Sequence, residues 1–268
     1  MNNRNLVKVS ALCPTYGREE NGPRLYEVFN DQTYENRELL IFDDSVTPSI
    51  FFRNLNDPKV RYHHTASRST VGAKRNWLAE NAKGQILAHF DDDDYYAPNY
   101  LTAMVSALGD SDLVKLSSFY LFSITHQAFA YWDLNHIATL HFRLESLRPV
   151  EVFQTDMMKP DERELWQLKN LLGYGFSCVY RKSLWQRVPF EDARHGEDFD
   201  FVEAAMGAGA SVRLPLDLNG LALVLRHPAD NSIVYPQYLL PPHTLGVIFG
   251  KKGQKYVWQT QEILNEKK

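Results

Sequence analysis

A short apolar run, Gln85-Ile-Leu-Ala-His-Phe90, leads directly into four consecutive aspartates, Asp91 to Asp94. Leu87 to Phe90 reads as a short buried strand, so the carboxylates sit where that strand leaves the core. Side chains alternate along an extended backbone, which sets Asp91 and Asp93 on one side and Asp92 and Asp94 on the other. Like charges this close raise one another's pKa unless a cation relieves them. A hard divalent ion with oxygen ligands, Mg²⁺ or Mn²⁺, does that and ties a protein to a phosphate substrate. The alternative is a solvated acidic turn. Against it, the run is followed by Tyr95-Tyr96-Ala97-Pro98 rather than by more polar residues.

The acidic run falls inside a strand–helix alternation. Val7 to Cys13 reads as a first strand, closed by Pro14-Thr15-Tyr16-Gly17-Arg18, and Leu25 to Phe29 as a short helix. Leu39 to Phe42 forms a second strand ending at Asp43-Asp44-Ser45, and Val60 to His63 a third. Thr70 is the N-cap of a helix from Val71 to about Ala82, closed by Gly84, and another helix runs from near Pro98 to Leu108. This alternation predicts an α/β fold with a mostly parallel central sheet and helices on both faces. Ligands of open α/β sheets bind along the carboxyl edge, so Asp43-Asp44 and the tetra-aspartate should face one cleft.

After residue 110 the pattern changes. Leu113 to Phe122 and Ala128 to Trp132 read as longer aromatic strands joined by a hairpin, and residues 134–170 as an irregular region over the cleft. The expected organisation is a single domain over 1–240 in two halves, 1–95 and 96–240. The amphipathic tail, 241–268, packs on the body or serves a homo-oligomer contact.

Composition narrows the classes. The chain has 268 residues, 44% apolar, ample for a packed core. Its 29 Lys and Arg against 33 Asp and Glu give a net charge of −4, no electrostatic footprint for nucleic acid or an anionic membrane. Cys13 and Cys178 lie in apolar runs, which argues against a disulfide framework and for a reducing compartment. The opening Met1-Asn-Asn-Arg-Asn shows no signal peptide, and no apolar run reaches membrane-spanning length. The expectation is a cytoplasmic protein with no integral membrane segment.

The order of the pieces says more than any one of them. Pro14-Thr15-Tyr16, Asp43-Asp44-Ser45, Gly72-Ala-Lys-Arg75-Asn76, Phe90-Asp-Asp-Asp-Asp-Tyr95…Pro98, Gly196-Glu-Asp198-Phe-Asp-Phe201 and Arg226-His227-Pro-Ala-Asp-Asn231 follow one another. This succession resembles the family 2 inverting glycosyltransferases of the GT-A fold over about residues 7–235, with weak matching between 134 and 170. The resemblance implies a Rossmann-like fold for nucleotide-diphospho-sugar transfer.

It also implies roles. Pro14, Thr15 and Tyr16, with Asp43 and Asp44, would hold the nucleoside; a carboxylate suits an N–H donor such as uracil, thymine or guanine, the alternative being a turn or helix cap at Asp44-Ser45. Lys74 and Arg75 occupy the first turns of a helix, where the macrodipole disfavours cations, a conflict that a diphosphate would resolve. The resemblance singles out Arg75 and Asn76; the alternative is a basic solvent face shared with Lys83. Asp93 would be the direct metal ligand and Asp91 the carboxylate nearer the ribose, with the extra Asp92 leaving a one-residue ambiguity. A Mn²⁺ or Mg²⁺ would stabilise the leaving diphosphate as a Lewis acid. Asp198 is the candidate general base and Glu197 an acceptor-binding residue, at the start of a helix turning Phe199, Val202, Ala205 and Met206 inward. Acids in a first helical turn are also favoured by the dipole alone. His227 resembles a position near the diphosphate and metal, or is a structural histidine at a strand end. Trp132, Trp166, Tyr174 and Phe176 are candidates to stack on an acceptor sugar, or core.

The leading expectation is a metal-dependent inverting glycosyltransferase that takes a nucleotide-diphosphate sugar, a UDP-sugar above all. Its acceptor would be a hydroxyl of a glycan, a lipid-linked sugar or a protein. The alternatives are a sugar-nucleotide pyrophosphorylase, which lacks its Gly-rich first loop here, and a degenerate GT-A domain acting as a binding module.

Overall fold

The computed structural model describes residues 6–228 and 233–266. Residues 229–231 of the Arg226…Asn231 segment, and the opening Met1 to Asn5, lie outside the described residues. In chain order come β1 (Val9–Thr15), α1 (Gly22–Asn30), β2 (Arg37–Asp43), α2 (Ile50–Asn54), β3 (Val60–His64), α3 (Val71–Asn81) and β4 (Ile86–His89). Next are β5 (Tyr95–Tyr96), α4 (Tyr100–Leu108), β6 (Leu113–Val114), β7 (Ser118–Ser123), β8 (Ala128–Asp133), β9 (Leu140–Arg143) and β10 (Glu151–Gln154). The chain continues through α5 (Pro160–Leu172), β11 (Val179–Arg181), α6 (Lys182–Arg187), α7 (Glu197–Gly207), β12 (Val212–Arg213), β13 (Ala222–Arg226), β14 (Tyr238–Leu240) and α8 (Leu245–Glu266).

These elements form two compact units that interleave along the sequence. One comprises 1–92, 98–115 and 172–214; the other comprises 93–97, 116–171 and 215–268. The first holds a seven-stranded sheet in the order β12-β6-β11-β4-β1-β2-β3. Its β1 runs parallel to both β2 and β4, and β2 parallel to β3, while β11 is antiparallel to β4 and β6. β1 and β2 are buried almost throughout, as the continuous apolar runs of a parallel sheet require. α3 packs on β1 and β2, and α4 on β6 and β11. The second unit holds a five-stranded sheet, β14-β8-β7-β13-β5, and the β9/β10 hairpin. This is an α/β architecture whose first sheet is mostly parallel.

Several local readings are corrected. β1 extends through Pro14 and Thr15, which pair with Phe42 and Asp43, rather than closing at Cys13. Leu113 to Phe122 is not one strand: β6 belongs to the first unit's sheet and β7 to the second unit's, with Lys115 to Ser117 between them. Residues 134–170 are not irregular, since they hold the β9/β10 hairpin and most of α5. Thr70 does cap α3, its hydroxyl accepting from the Ala73 N–H at 3.1 Å. The helix stops on an extended Ala82, however, not on Gly84. Gly84 is there for space, because a Cβ would sit 2.6 Å from the Ser10 nitrogen. The tail is α8, kinked at Gly250, and it buries Leu245, Phe249, Tyr256 and Val257 within the second unit.

Candidate active site

Strand register assembles one end of the candidate site. Thr15, the last residue of β1, pairs with Asp43, the last of β2. On the other flank Leu12 pairs with His89, and the Phe90 N–H donates to the Leu12 carbonyl at 3.0 Å. Continuing that register brings Asp92 level with Thr15, whose hydroxyl donates to its carboxylate. Arg18 donates to the other oxygen of Asp92 at 2.7 Å. Thr15, Arg18, Asp43, Ser45, Phe52 and Asp92 line one cavity of this unit, so one carboxylate from each acidic cluster reaches it.

Each carboxylate there is engaged. Asp43 accepts from the Ser45 N–H at 2.9 Å, from the Ser45 hydroxyl, and from the Tyr62 hydroxyl at 2.5 Å. Burial, and then the bond to Asp43, raise the Tyr62 pKa, so the phenol remains a donor. Asp44 accepts from the Ser69 N–H at 2.8 Å, from Arg68 at 2.9 Å and from Lys74. Tyr16 is 43% exposed, and the Arg68 guanidinium lies 3.3 Å above its ring. Pro14 sits inside β1 rather than in a closing loop.

Lys74 and Arg75 are buried, so the basic solvent face is excluded. The Lys74 ammonium donates to the Thr15 carbonyl at 2.8 Å and to Asp44; burial lowers its pKa and Asp44 opposes the shift. Arg75 Nε donates to Glu197 at 3.1 Å, while its buried Nη1 has no hydrogen-bond partner. Burial works against the Arg75 charge, but Asp91, Glu197 and Asp198 more than offset it and hold the pKa above the ordinary value. Asn76 bonds to the 185–190 segment. Its amide donates to the Phe190 carbonyl at 2.8 Å and accepts from the Trp185 indole and the Phe190 N–H.

Asp198 stands in the first turn of α7, entered through Gly196 in the left-handed conformation. The Gly175 N–H donates to one carboxylate oxygen at 2.6 Å and the Phe199 N–H to the other at 2.8 Å. Gly175 is required by proximity, since a Cβ on it would lie 2.6 Å from that of Asp198. The residue before it, Tyr174, is itself left-handed, with φ 57°. Glu197 is buried and paired with Arg75, not presented to an acceptor. The inward face of α7 is Phe201, Val202 and Ala205; Met206 is exposed and Phe199 half-buried.

Three buried residues were given no place at the site by the sequence reading: His89 in an apolar strand, Lys115 in Leu113-Val-Lys-Leu116, and Cys178. Lys115 lies within electrostatic range of Cys178 and Asp198, and burial lowers its pKa. Burial pushes the Cys178 thiol up to about 12. The one signal available was a charged or titratable residue interrupting an apolar run.

In the second unit, His227 Nε2 approaches Asp93 Oδ2 to 3.1 Å, with side chains only 10% and 16% exposed. Asp94 accepts from the Leu225 N–H at 3.0 Å. The alternation is kept in burial: Asp92 and Asp94 are buried, Asp91 and Asp93 half-exposed, although the strand ends at His89 and the chain turns at Asp92 and Asp93. Among the described residues no group of three or more His, Cys, Asp or Glu could enclose a metal ion. A carboxylate and an imidazole fit an ion that completes its shell with substrate oxygens, as Mg²⁺ characteristically does. Trp132 and Phe176 are core, while Trp166 packs on His141, Phe153 and Tyr235. Tyr174 is half-buried.

Residues 10–187 match Glycosyl transferase family 2, well over half of the chain, and the chain belongs to that family. It is 31% identical over 107 residues to the putative colanic acid biosynthesis glycosyl transferase WcaA of Escherichia coli K12, covering 38% of each chain. It is 28% identical over 102 residues to the E. coli UDP-Glc:alpha-D-GlcNAc-diphosphoundecaprenol beta-1,3-glucosyltransferase WfgD, covering 37% of this chain and 40% of that one. Staphylococcus aureus TarS 1–349 in complex with UDP-GlcNAc superimposes with a TM-score of 0.59 at 16% identity, over 83% of this chain and 60% of TarS. A mannosyltransferase from Pyrobaculum calidifontis in complex with GDP-Man and Mn²⁺ gives 0.56 at 15% identity, over 82% and 56%. These two likenesses show the fold. The chain spans about two fifths of the length of these curated relatives and about three fifths of the solved structures. Among the described residues no helix is long and apolar enough to cross a membrane.

Proposed function

We propose that this glycosyltransferase moves a sugar from a nucleotide-diphosphate sugar, a UDP-sugar in the first instance, to an acceptor hydroxyl with inversion, using Asp198 as general base. The observation that carries the reading is the held carboxylate of Asp198, fixed by two backbone N–H groups at 2.6 and 2.8 Å. Each oxygen keeps a lone pair for the incoming proton. As the acceptor oxygen bonds to the sugar's C1, its proton passes to Asp198 and the C1–diphosphate bond breaks on the opposite face. Inversion at an α-linked donor yields a β-linkage. Supporting the donor reading, the cavity at Thr15, Asp43 and Asp92 has carboxylates suited to the N–H and hydroxyls of a nucleoside. Arg75 Nη1 is a buried, unspent donor in the same unit, suited to a diphosphate oxygen.

Asp93 and His227 would hold a Mn²⁺ or Mg²⁺. When bound, such an ion supplies Lewis-acid stabilisation of the leaving diphosphate. The relatives' printed roles in colanic acid synthesis and diphosphoundecaprenol glucosylation favour a glycan or lipid-linked sugar as acceptor, in polysaccharide assembly.

The test begins with thermal shifts for UDP, GDP, TDP, CDP and ADP, each with and without Mn²⁺ or Mg²⁺. A ligand at about 100 times its Kd stabilises by about 2.7 kcal/mol. One nucleotide, UDP, should stabilise, and only with metal. Asp93→Ala should abolish that metal-dependent response, whereas Asp198→Asn should keep it and lose transfer. Equal nucleotide response in Asp93→Ala and wild type rules out the metal assignment, and silence to every pair overturns the donor reading.

A further inference from the structure

His89 takes no part in the chemistry described so far, yet it is wholly buried two residues before the acidic run. Its Nδ1 lies 2.7 Å from the Gly175 carbonyl oxygen. A carbonyl can only accept, so Nδ1 carries the proton. Burial, and then the nearby Arg75 charge, hold the imidazole pKa well below its ordinary range, so the ring is neutral and Nε2 is bare. Tyr180 completes the arrangement, with its hydroxyl 3.4 Å from Nε2 and its ring edge-on to the imidazole.

Gly175 is therefore gripped from both ends. Its N–H holds Asp198 at 2.6 Å, and its carbonyl accepts from His89 and from the Cys178 N–H at 3.0 Å. The His89 N–H in turn donates to the Cys178 carbonyl at 2.8 Å, so backbone and side chain of one strand residue both fasten the 175–178 turn. The turn needs fastening, because it is entered through Tyr174 at φ 57°, a conformation unfavourable for a residue with a Cβ.

We propose that His89 is a positioning residue for the base: by holding Gly175 against β4 it sets where the Asp198 carboxylate points. The inference rests on the reading of Asp198 as the base. The alternative is a histidine that merely fills the core.

Two amides separate these roles. Asparagine places its amide nitrogen where Nδ1 stands and keeps the donor; glutamine places it near Nε2 and loses the donor at Gly175. Both retain polarity, and asparagine, the smaller of the two, carries the greater packing loss, so its retention of function is the stricter test. UDP release from UDP-N-acetylglucosamine and from UDP-glucose, with water or added glycan as acceptor, gives kcat and KM. The Gly175 amide proton shift in ¹⁵N-labelled protein gives a readout independent of turnover. His89→Gln should lower kcat by about 10- to 100-fold, the usual effect of losing an outer hydrogen-bond partner, with the donor KM within about two-fold. It should also move the Gly175 resonance, while His89→Asn keeps both near wild type. Wild-type kcat and an unmoved Gly175 amide in His89→Gln would overturn the proposal, as would equal losses in the two variants. If Asp198→Asn retains transfer, the base reading fails by itself, and the Gly175 shift still decides whether His89 holds the turn.

Discussion

At Gly175 a single added methyl group would press directly on Asp198. Gly175→Ala would drive a Cβ to 2.6 Å from Asp198 Cβ, so the turn or the base must move. Overpacking of this kind costs about 1–3 kcal/mol, and kcat should fall far more than the donor affinity. A variant with wild-type kcat would show that the carboxylate tolerates displacement. Glu197 gives a residue-scale prediction in pH. Burial raises its pKa above 4.5, with Arg75 pulling the other way and Asp198 adding repulsion. The folded chain thus keeps a proton that the unfolded chain has released. The stability this carboxyl contributes is full below about pH 4.5 and is lost as pH climbs through the raised folded value. The wild-type urea midpoint minus that of Glu197→Gln should therefore decline from about pH 4 to 7, and a flat difference would contradict the assignment. At this scale residue types were legible but partners were not. Arg75 was singled out by the family resemblance, yet its mate Glu197 lies 122 residues away, and no local pattern connects them.

At the scale of elements, α3 works as a clamp on the segment that carries Asp198. Thr70 donates to Asp192, the Gly72 N–H to the Ala193 carbonyl at 3.1 Å, and Arg75 to Glu197. Asn76 ties down Phe190 and Trp185. Gly72 permits the approach, since a Cβ there would fall 1.8 Å from the Glu191 carbonyl oxygen. Asn76→Ala removes three hydrogen bonds and should cost about 2–4 kcal/mol in chemical denaturation. It should lower kcat while leaving the nucleotide thermal shift intact; a matching loss of nucleotide response would restore Asn76 to the diphosphate site. The helix itself was legible, because Thr70 is a strong N-cap. Its use was not, because a hydrogen bond to a loop leaves no periodic trace. The division of Leu113 to Phe122 between two sheets was equally hidden: each half is apolar, and no breaker residue marks Lys115 to Ser117.

Across the whole molecule, order of motifs carried the fold, since β2 ends on Asp43 and the acidic run follows β4 within two residues, at the carboxyl edge where the alternation placed them. The tail is part of the second unit's core through Phe249, Tyr256 and Val257. Each such side chain contributes about 1.5–3 kcal/mol of burial, against about 5–15 kcal/mol for a whole domain. A chain ending at Leu240 should lose cooperative thermal unfolding in part of the molecule by calorimetry; an unchanged transition would mark α8 as dispensable.

The interleaving has a consequence for anyone wishing to recombine this enzyme with a relative. Each unit is written in three separate stretches of sequence, and the seam passes between Asp92 and Asp93. A single crossover therefore cannot exchange one unit intact. Shuffling for a new acceptor has to splice at several points, and one splice divides the acidic tetrad itself, so surviving hybrids should be those that inherit Asp91 to Asp94 from one parent.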